Sequence, residues 1–365
     1  MVVFCDSQIP VLPDLLRQKA EVIVYSGRNL KRDDLISSNC EALFTRSTTK
    51  VNKELLEGTR VRFVGSATSG IDHIDLDYLK AKGIYFTDAK GCNANSAAEY
   101  VIFSILHWHL TYGIEIQGLT IGIIGYGNIG RLVAKYSNLL GLKILINDPP
   151  LKEMIEEGKA ENFPDYCEYC ELSEVISNVK ILTNHVPLTF TGKYPTHYLV
   201  NNRNLHLLSE NALFIHTSRG GVVDEKELLK QKKKKKLALV IDVWENEPRI
   251  NTNLIEHCLI ATPHIAGYSY EGKLRGTKKM IEEFSKFFGI NFDTTLLDNE
   301  LKQYKPIDLQ NIKSLAEVYN KINQSRQLLE DFEKFKKILQ FRNPEEKSQY
   351  FDYLRKNYPI RREVL

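Results

Sequence analysis

The chain has 365 residues, of which 43% are hydrophobic and 26% are charged, a balance typical of a soluble globular protein with two or three domains. This composition excludes a disordered, collagen-like or membrane-spanning chain. The 49 Lys and Arg and 46 Asp and Glu residues leave a formal net charge of +3. Because that charge is small, we predict no nucleic-acid or membrane partner.

The cysteines and the N-terminus indicate the compartment. Six cysteines are scattered along the chain, and no basic stretch followed by an apolar segment and a small-residue cleavage site opens it. We therefore expect a cytoplasmic protein without structural disulfides. Cys167 and Cys170 have C-x-x-C spacing, but no second pair or nearby histidine accompanies them, so we predict no metal site.

The N-terminal part alternates short apolar runs with helix-length stretches of mixed polarity. The runs fall at 2–5, 22–25, 42–45, 62–65 and 84–87. This alternation predicts a parallel α/β sheet. Residues 93–112 then read as one long helix with polar caps near its start and Gly113 at its end.

A second series of strands begins at Thr120. Its runs are 120–124, 142–147, 180–184, 212–217, 237–243 and 259–261, the six strands of a doubly wound dinucleotide-binding unit. A helix over 271–288 follows and is expected to return to the first lobe. We therefore predict a first domain of residues 1–93 with 265–292 and a nucleotide-binding domain of residues 94–264.

From about residue 291 glycine disappears, and Lys, Glu, Asn and Gln surround helical patterns at 311–323 and 327–339. We predict a separate, mostly helical region over 293–365, buried against the body or against a second subunit. The lysine-rich run over 230–236 lies between a predicted helix and a predicted strand. We interpret it as a solvated turn rather than a nucleic-acid patch.

The strongest motif is G-x-G-x-x-G at 125–130, which follows an apolar strand and opens a helix. Gly125 permits the tight turn, Gly127 lets a pyrophosphate approach, and Gly130 allows close helix–strand packing. The backbone N–H groups of Asn128, Ile129 and Gly130 are expected to face the phosphates. This context predicts a dinucleotide site.

Asp148 ends the next strand, 18 residues after Gly130. An acid at this position accepts bonds from the adenosine-ribose hydroxyls and repels a 2′-phosphate, so NAD is predicted rather than NADP. Pro149 and Pro150 follow directly, and they leave open the alternative that Asp148 is a turn residue.

Three segments that follow successive strands carry candidate redox residues. Arg219 lies in a Gly-flanked loop and can bind a carboxylate and the adjacent C2 oxygen of a hydroxy acid. Glu247 and His264 end the next two strands, and a bond between them would raise the imidazole pKa and fix its tautomer. Together they predict an NAD-dependent dehydrogenase acting on a hydroxy acid. Four of the other histidines, His73, His107, His109 and His185, are interpreted as packing, surface or cleft-flanking residues.

The sequence resembles the D-isomer-specific 2-hydroxyacid dehydrogenases over nearly its whole length. The narrower match is to a member of that family that acts on a phosphorylated substrate. The segments that carry it are 46–52, 63–75, 91–94 with 98–101, 264–268 with 271–273 and 275–277, and 351–358 with 361–363. The resemblance implies two Rossmann-like doubly wound domains of the formate/glycerate dehydrogenase type, with a smaller C-terminal region that forms a homodimer. It also implies a C-terminal region longer than the one present here.

The resemblance assigns functions to individual residues. It implies Arg219 and Glu247 as active-site residues and His264 as the proton-transfer group. It implies NAD contacts and substrate contacts at the following positions: Asp148, Val186, Pro187, Asp242 and Gly267 for NAD, and Ser47, Ser66 and Tyr268 for the substrate. Ser66 stands where Thr is expected and keeps the hydroxyl, and Val186 stands where Thr is expected and offers only its backbone.

The implied reaction is NAD-dependent oxidation of 4-phospho-D-erythronate in pyridoxal 5′-phosphate biosynthesis. For the 4-phosphate, the resemblance implies Ser47 and Ser66, and basic side chains within these motifs suggest Arg46, Lys50, Arg355 or Arg361. Two alternatives stay open: another D-2-hydroxyacid dehydrogenase acting on 3-phosphoglycerate, glyoxylate or hydroxypyruvate, and a non-enzymatic NAD-sensing module resembling the C-terminal-binding corepressors.

Overall fold

A computed structural model describes all 365 residues. The chain forms two compact units, the first of residues 1–93 and 268–305 and the second of residues 94–267 and 306–365. The region 293–365, predicted as one body, is divided: residues 293–305 belong to the first unit and residues 306–365 to the second. No helix combines the length and apolar character needed to cross a lipid bilayer.

The first unit is built on a five-stranded parallel sheet of order β2-β1-β3-β4-β5. This is the flavodoxin-like order, in which the crossover helices cover both faces of the sheet. The elements are β1 Val2–Asp6, α1 Leu12–Leu16, β2 Glu21–Tyr25, α2 Arg32–Ser37, β3 Cys40–Thr45, α3 Lys53–Leu56, β4 Phe63–Ser66, α4 Leu76–Ala81 and β5 Tyr85–Asp88. The predicted strands are confirmed with ends shifted by one or two residues.

The second unit opens with the long helix α5, Ala94–Tyr112, which is buried on most of its surface. Its seven-stranded parallel sheet has the order β12-β11-β10-β9-β6-β7-β8. The elements are β6 Thr120–Ile124, α6 Asn128–Leu139, β7 Lys143–Asn147, α7 Pro149–Glu156, β8 Cys167–Tyr169, α8 Leu172–Ser177, β9 Ile181–Asn184, β10 Leu213–His216, α9 Glu225–Lys235, β11 Ala238–Ile241 and β12 Ile260–Ala261. The strand order reverses between β6 and β9, where doubly wound sheets bind ligands.

Two helices after the second sheet return to the first unit. They are α10, Tyr270–Phe288, and α11, Thr295–Lys302. Leu274, Met280 and Phe284 of α10 are buried with β-strand residues on one face of the first sheet. Gly65 of β4 leaves room for this packing, since a Cβ there would lie 2.8 Å from the Met280 sulfur.

The C-terminal residues of the second unit form α12, Leu315–Arg326, α13, Leu328–Lys336, and α14, Pro344–Lys356. Their apolar faces are buried through Val318, Ile322, Phe335 and Phe351. Gln327, with φ of +50°, separates α12 from α13, so the helix predicted over 327–339 begins one residue later.

Two sequence interpretations are corrected. The second sheet has seven strands rather than the predicted six. The additional strand, β8, pairs with β7 at the edge of the sheet. The lysine run was wrongly assigned to a turn: Lys230 to Lys235 form the last turns of α9, and only Lys236, with φ of +56°, ends the helix. Cations are favourable at this end of a helix.

Candidate active site

The three glycines of the fingerprint each meet a different steric requirement. Gly125 has φ of +91°, and a Cβ there would lie 2.8 Å from the Val186 side chain. A Cβ on Gly130 would lie 2.1 Å from the Gly125 carbonyl oxygen. Gly127 differs, because a Cβ there would meet nothing within 4 Å. Its open side is therefore available to a ligand rather than filled by protein.

The residues around the turn fit a dinucleotide. Gly127 is the N-cap of the twelve-residue helix α6 and no side chain caps it, so the first N–H groups, including those of Asn128 and Ile129, remain for an anion. Asp148 Oδ2 accepts a bond from the Tyr126 N–H at 2.7 Å, beside the turn.

Asp148 has a second partner, since Oδ1 accepts from the Leu151 N–H at 3.0 Å and caps α7. Asp148 thus has the local backbone-bonding role that the turn alternative foresaw, as the cap of a helix. A carboxylate with these two bonds still keeps lone pairs for ribose hydroxyls. Val186 and exposed Pro187 follow β9 at the reversal point, and the Val186 side chain lies against Gly125. The NAD contacts of these residues remain predictions.

Loops after the neighbouring strands β10, β11 and β12 carry the three candidate redox residues. Arg219 follows buried Thr217 and Ser218, and its Nη1 donates to the Ser218 carbonyl at 2.8 Å. The next residue, Gly220, lies so close to the loop after β11 that a Cβ would be 1.8 Å from the Trp244 carbonyl oxygen. The Arg219 loop and the loop that leads to Glu247 are therefore locked together.

Glu247 and His264 form the bonded pair proposed from the sequence. The Nδ1 atom of His264 lies 2.7 Å from Glu247 Oε2, and the Trp244 N–H donates to Glu247 Oε1 at 2.9 Å. Both side chains are mostly buried: 28% of the His264 side chain and 18% of the Glu247 side chain are exposed. This bond leaves Nε2 as the imidazole nitrogen that can meet a substrate hydroxyl.

The charge of Glu247 is also fixed by its surroundings. Burial alone would raise its pKa, but the nearby His264 and Arg355 charges and the His264 hydrogen bond hold the pKa below its usual value. The carboxylate is therefore ionised and can stabilise a protonated imidazole.

Asp242 clamps the loop that carries His264. It is 1% exposed, and its carboxylate accepts from the Thr262 hydroxyl at 2.6 Å, the Ile265 N–H at 2.7 Å and the Ala266 N–H at 3.0 Å. His264 has φ of +58°, an unfavourable backbone conformation that such contacts must hold in place. The assignments of Asp242, and of Gly267 in the same loop, as NAD contacts stay predictions.

The predicted substrate residues lie in the first unit. Ser47 is exposed after β3, and the Arg46 guanidinium lies over the Tyr268 ring at 5.6 Å from its centroid. Ser66 is fully buried, and its hydroxyl lies 2.9 Å from Thr68 Oγ1 and 3.1 Å from His73 Nε2. Their substrate contacts remain predictions.

Sequence reasoning missed a cationic group beside these residues. Lys273, in the first turn of α10, is partly buried, and burial together with the Arg46 charge lowers its pKa to about 8. Asp6, at the end of β1, faces both cations, and burial raises its pKa. Only the Glu-Gly-Lys segment at 271–273, quoted for the resemblance, pointed toward Lys273.

The other candidates have structural surroundings. His216 is buried and His185 is half-buried, and desolvation lowers the pKa of each to about 3. Cys167 donates to the Tyr126 hydroxyl at 3.6 Å. All six cysteines are free, and no group of three or more His, Cys, Asp or Glu side chains is placed to hold a metal.

The four basic residues suggested for the 4-phosphate belong to different units. Arg46 and exposed Lys50 lie in the first unit, and Arg355 and Arg361 lie in the second.

Comparisons with known proteins place this geometry in a family. The family model of the "D-isomer specific 2-hydroxyacid dehydrogenase, NAD binding domain" matches residues 104–266. An erythronate-4-phosphate dehydrogenase of Marinobacter nauticus is 37% identical over 371 residues, covering 100% of this chain and 93% of the relative.

Solved structures agree. The D-lactate dehydrogenase of Aquifex aeolicus, complexed with NAD and lactic acid, superposes with a TM-score of 0.63 at 25% identity and covers 79% of this chain and 96% of its own. The NAD⁺-bound 3-phosphoglycerate dehydrogenase of Entamoeba histolytica shares the fold, with a TM-score of 0.64 at 20% identity, covering 79% of this chain and 95% of its own. The chain belongs to the D-isomer-specific 2-hydroxyacid dehydrogenase family and is an NAD-dependent dehydrogenase.

Proposed function

We propose that the protein oxidises 4-phospho-D-erythronate to (R)-3-hydroxy-2-oxo-4-phosphooxybutanoate, a step of pyridoxal 5′-phosphate biosynthesis. The similarity to relatives named erythronate-4-phosphate dehydrogenase extends over 100% of the chain. It includes the C-terminal residues beyond the NAD-binding domain, which the family model matches only to residue 266.

The observation that carries the chemistry is the 2.7 Å bond between His264 and Glu247. In the proposed reaction, His264 Nε2 takes the proton of the C2 hydroxyl, and Glu247 stabilises the imidazolium that forms. Arg219 binds the carboxylate and orients C2. When bound, NAD⁺ supplies the acceptor for the hydride that leaves C2.

A phosphorylated substrate is supported by the cations of the first unit. Arg46 and Lys273 lie near enough that their like charges interact, an arrangement that a dianionic phosphate would stabilise. Ser47, next to Arg46, is exposed and offers a hydroxyl donor. We propose that these three residues bind the 4-phosphate.

The substrate is tested by following NADH formation with 4-phosphoerythronate, 3-phosphoglycerate and glycolate, the reduced partner of glyoxylate. Turnover of the first alone supports the proposal. Efficient turnover of either other substrate instead identifies another dehydrogenase of the family, and turnover of none favours an NAD-sensing module.

The role of His264 is tested with His264→Asn, for which we expect kcat to fall by at least ~10²-fold. The matched control is His206→Asn, because His206 is exposed in the same unit. Near-normal turnover of the His264 variant would contradict its role in proton transfer.

We further propose that the protein is a homodimer formed through its C-terminal region. Tyr353 and Ile360 there are 58% and 74% exposed, and covering large apolar side chains favours association. Light scattering should give about twice the chain mass of 42.0 kDa. Ile360→Glu should shift the mass toward the monomer, whereas the control Phe190→Glu, at a residue 67% exposed outside this region, should not.

A further inference from the structure

Arg355 lies in the last turn of α14, outside the residues matched by the family model. It is mostly buried, with 17% of its side chain exposed. A buried guanidinium needs a compensating partner, and its surroundings show which group this is.

Aromatic packing places Arg355 beside the candidate active site. Phe351, four residues earlier on α14, lies edge-on to Phe335 of α13 with ring centroids 6.0 Å apart. Phe335 packs on Trp244 with centroids 5.6 Å apart. Since residues i and i+4 share a helix face, α14 presents Arg355 to the loop that contains Trp244 and Glu247.

The Glu247 carboxylate is held from three directions. The Trp244 N–H donates to Oε1 at 2.9 Å, His264 Nδ1 lies 2.7 Å from Oε2, and Arg355 Nη1 lies 3.9 Å from the same Oε2. His264 and Arg355 thus share one carboxylate oxygen, and each positive charge reduces the attraction available to the other.

We propose that Arg355 is a positioning residue: it holds the Glu247 carboxylate against His264 and limits how strongly that carboxylate retains a proton on the imidazole. The inference rests on the proposed roles of Glu247 and His264. A base that must take a proton and later release it works best when neither state is held too firmly. The C-terminal helices therefore tune the proton-transfer pair as well as covering the sheet.

Other ionisable groups also face the pair. They are Asp242 after β11, Glu225 at the start of α9, and His216 at the end of β10. These groups are the same in wild type and in Arg355 variants, so a change in His264 titration reports the charge at position 355.

The direct test is the titration of His264 by NMR in the full chain, with the histidines labelled with ¹³C and the His264 signal assigned by its loss in His264→Asn. Removing the cation in Arg355→Met should raise the pKa of His264 by about 0.5–1 unit, because a charge several ångströms away acts through a partly screened medium. Arg355→Lys should restore most of the wild-type value. Lys356→Met, which removes the exposed neighbouring cation of the same helix, should leave it unchanged.

Kinetics provide the second measurement. In Arg355→Met, the midpoint of the acidic limb of the kcat/KM profile for hydroxy-acid oxidation should shift to higher pH by about 0.5–1 unit, the shift expected for His264. Below that midpoint, kcat/KM should be about 3- to 10-fold lower than in the wild type. If the midpoint and the NMR titration match those of Lys356→Met, the proposal is wrong. A raised KM for the phosphorylated substrate with an unmoved limb would also overturn it, and would identify Arg355 as a phosphate ligand.

The NMR titration needs no substrate, so it separates this proposal from the proposed function. Normal turnover by His264→Asn would reject the catalytic role of His264, whatever the titration shows. A loss of turnover in that variant together with unshifted titration in Arg355→Met would reject only the role of Arg355.

Discussion

Lys273 lies in the first turn of α10 beside Arg46, and the burial and the like charge together lower its pKa to about 8. If it binds the phosphate, it must be protonated to do so. We therefore expect the KM for the phosphorylated substrate to rise as the pH increases through about 8. In Lys273→Arg the rise should vanish, because a guanidinium stays charged in this range.

Steady-state kinetics between pH 6.5 and 9.5 measure this dependence. Lys273→Met should raise KM for the phosphorylated substrate by about 10-fold or more, the loss expected for one charge-assisted hydrogen bond, and should leave the KM for NAD unchanged. Lys278→Met, at an exposed position of the same helix, is the control. A KM in Lys273→Met equal to that of this control would exclude Lys273 from phosphate binding.

Single residues differ in how far the sequence reveals them. The Glu247–His264 bond could be predicted because both residues follow strands of one parallel sheet, and such strand ends meet at one edge. Lys273 could not be recognised from the residues alone, because its low pKa depends on burial and on Arg46, 227 positions away in the chain.

Among the elements, α9 is joined to the Glu247 loop by an acid whose pKa lies near neutral pH. Glu225 Oε1 accepts from the Glu245 N–H at 2.7 Å, and burial raises the pKa of Glu225 to about 7. Its folded-state pKa exceeds the unfolded value, so its contribution to stability is complete below about pH 4.5 and is lost as the pH rises through 7.

Glu225→Gln should therefore stabilise the protein at pH 8, by about 2–3 kcal/mol from the size of the pKa change, with little effect near pH 4.5. The amide oxygen can still accept from Glu245. Chemical unfolding at pH 5 and pH 8 measures the difference, with Glu210→Gln, an exposed acid, as the reference. Equal stabilisation at both pH values would show that Glu225 keeps an ordinary pKa.

The sequence predicts elements best where burial is uniform. The apolar strands of both sheets were predicted within about two residues, since a parallel strand covered on both faces reads as a continuous apolar run. Strand β8, of sequence Cys-Glu-Tyr, is a three-residue edge strand without such a run. The break between α12 and α13 was predicted at 324–326 but lies at Gln327; no glycine marks its position, because a non-glycine residue adopts the positive φ there.

Across the second unit, one buried ion pair joins the C-terminal residues to the catalytic loop. Arg326, at the end of α12, lies 3.1 Å from Glu99 of α5, and both side chains are 0% exposed. Arg326 also donates to the Ala266 carbonyl at 3.1 Å, two residues after His264. Glu99 Oε2 in turn accepts the Leu365 N–H at 2.8 Å. Loss of this pair should therefore affect both stability and catalysis.

Arg326→Met should lower the free energy of unfolding by about 3–5 kcal/mol, because it leaves the Glu99 charge buried without its partner. The double variant Arg326→Met with Glu99→Gln should recover part of this loss, since the amide removes the charge and its oxygen still accepts the C-terminal N–H groups. Urea unfolding followed by tryptophan fluorescence measures both variants, and Arg342→Met, at an exposed position, controls for the loss of a cation. If Arg326→Met unfolds at the same urea concentration as Arg342→Met, the pair adds no stability. In that event the Ser96 hydroxyl, which donates to the Ala266 carbonyl at 2.8 Å, and the Asp242 clamp on the Ala266 N–H are enough to hold the loop, and catalysis in Arg326→Met should then be unimpaired.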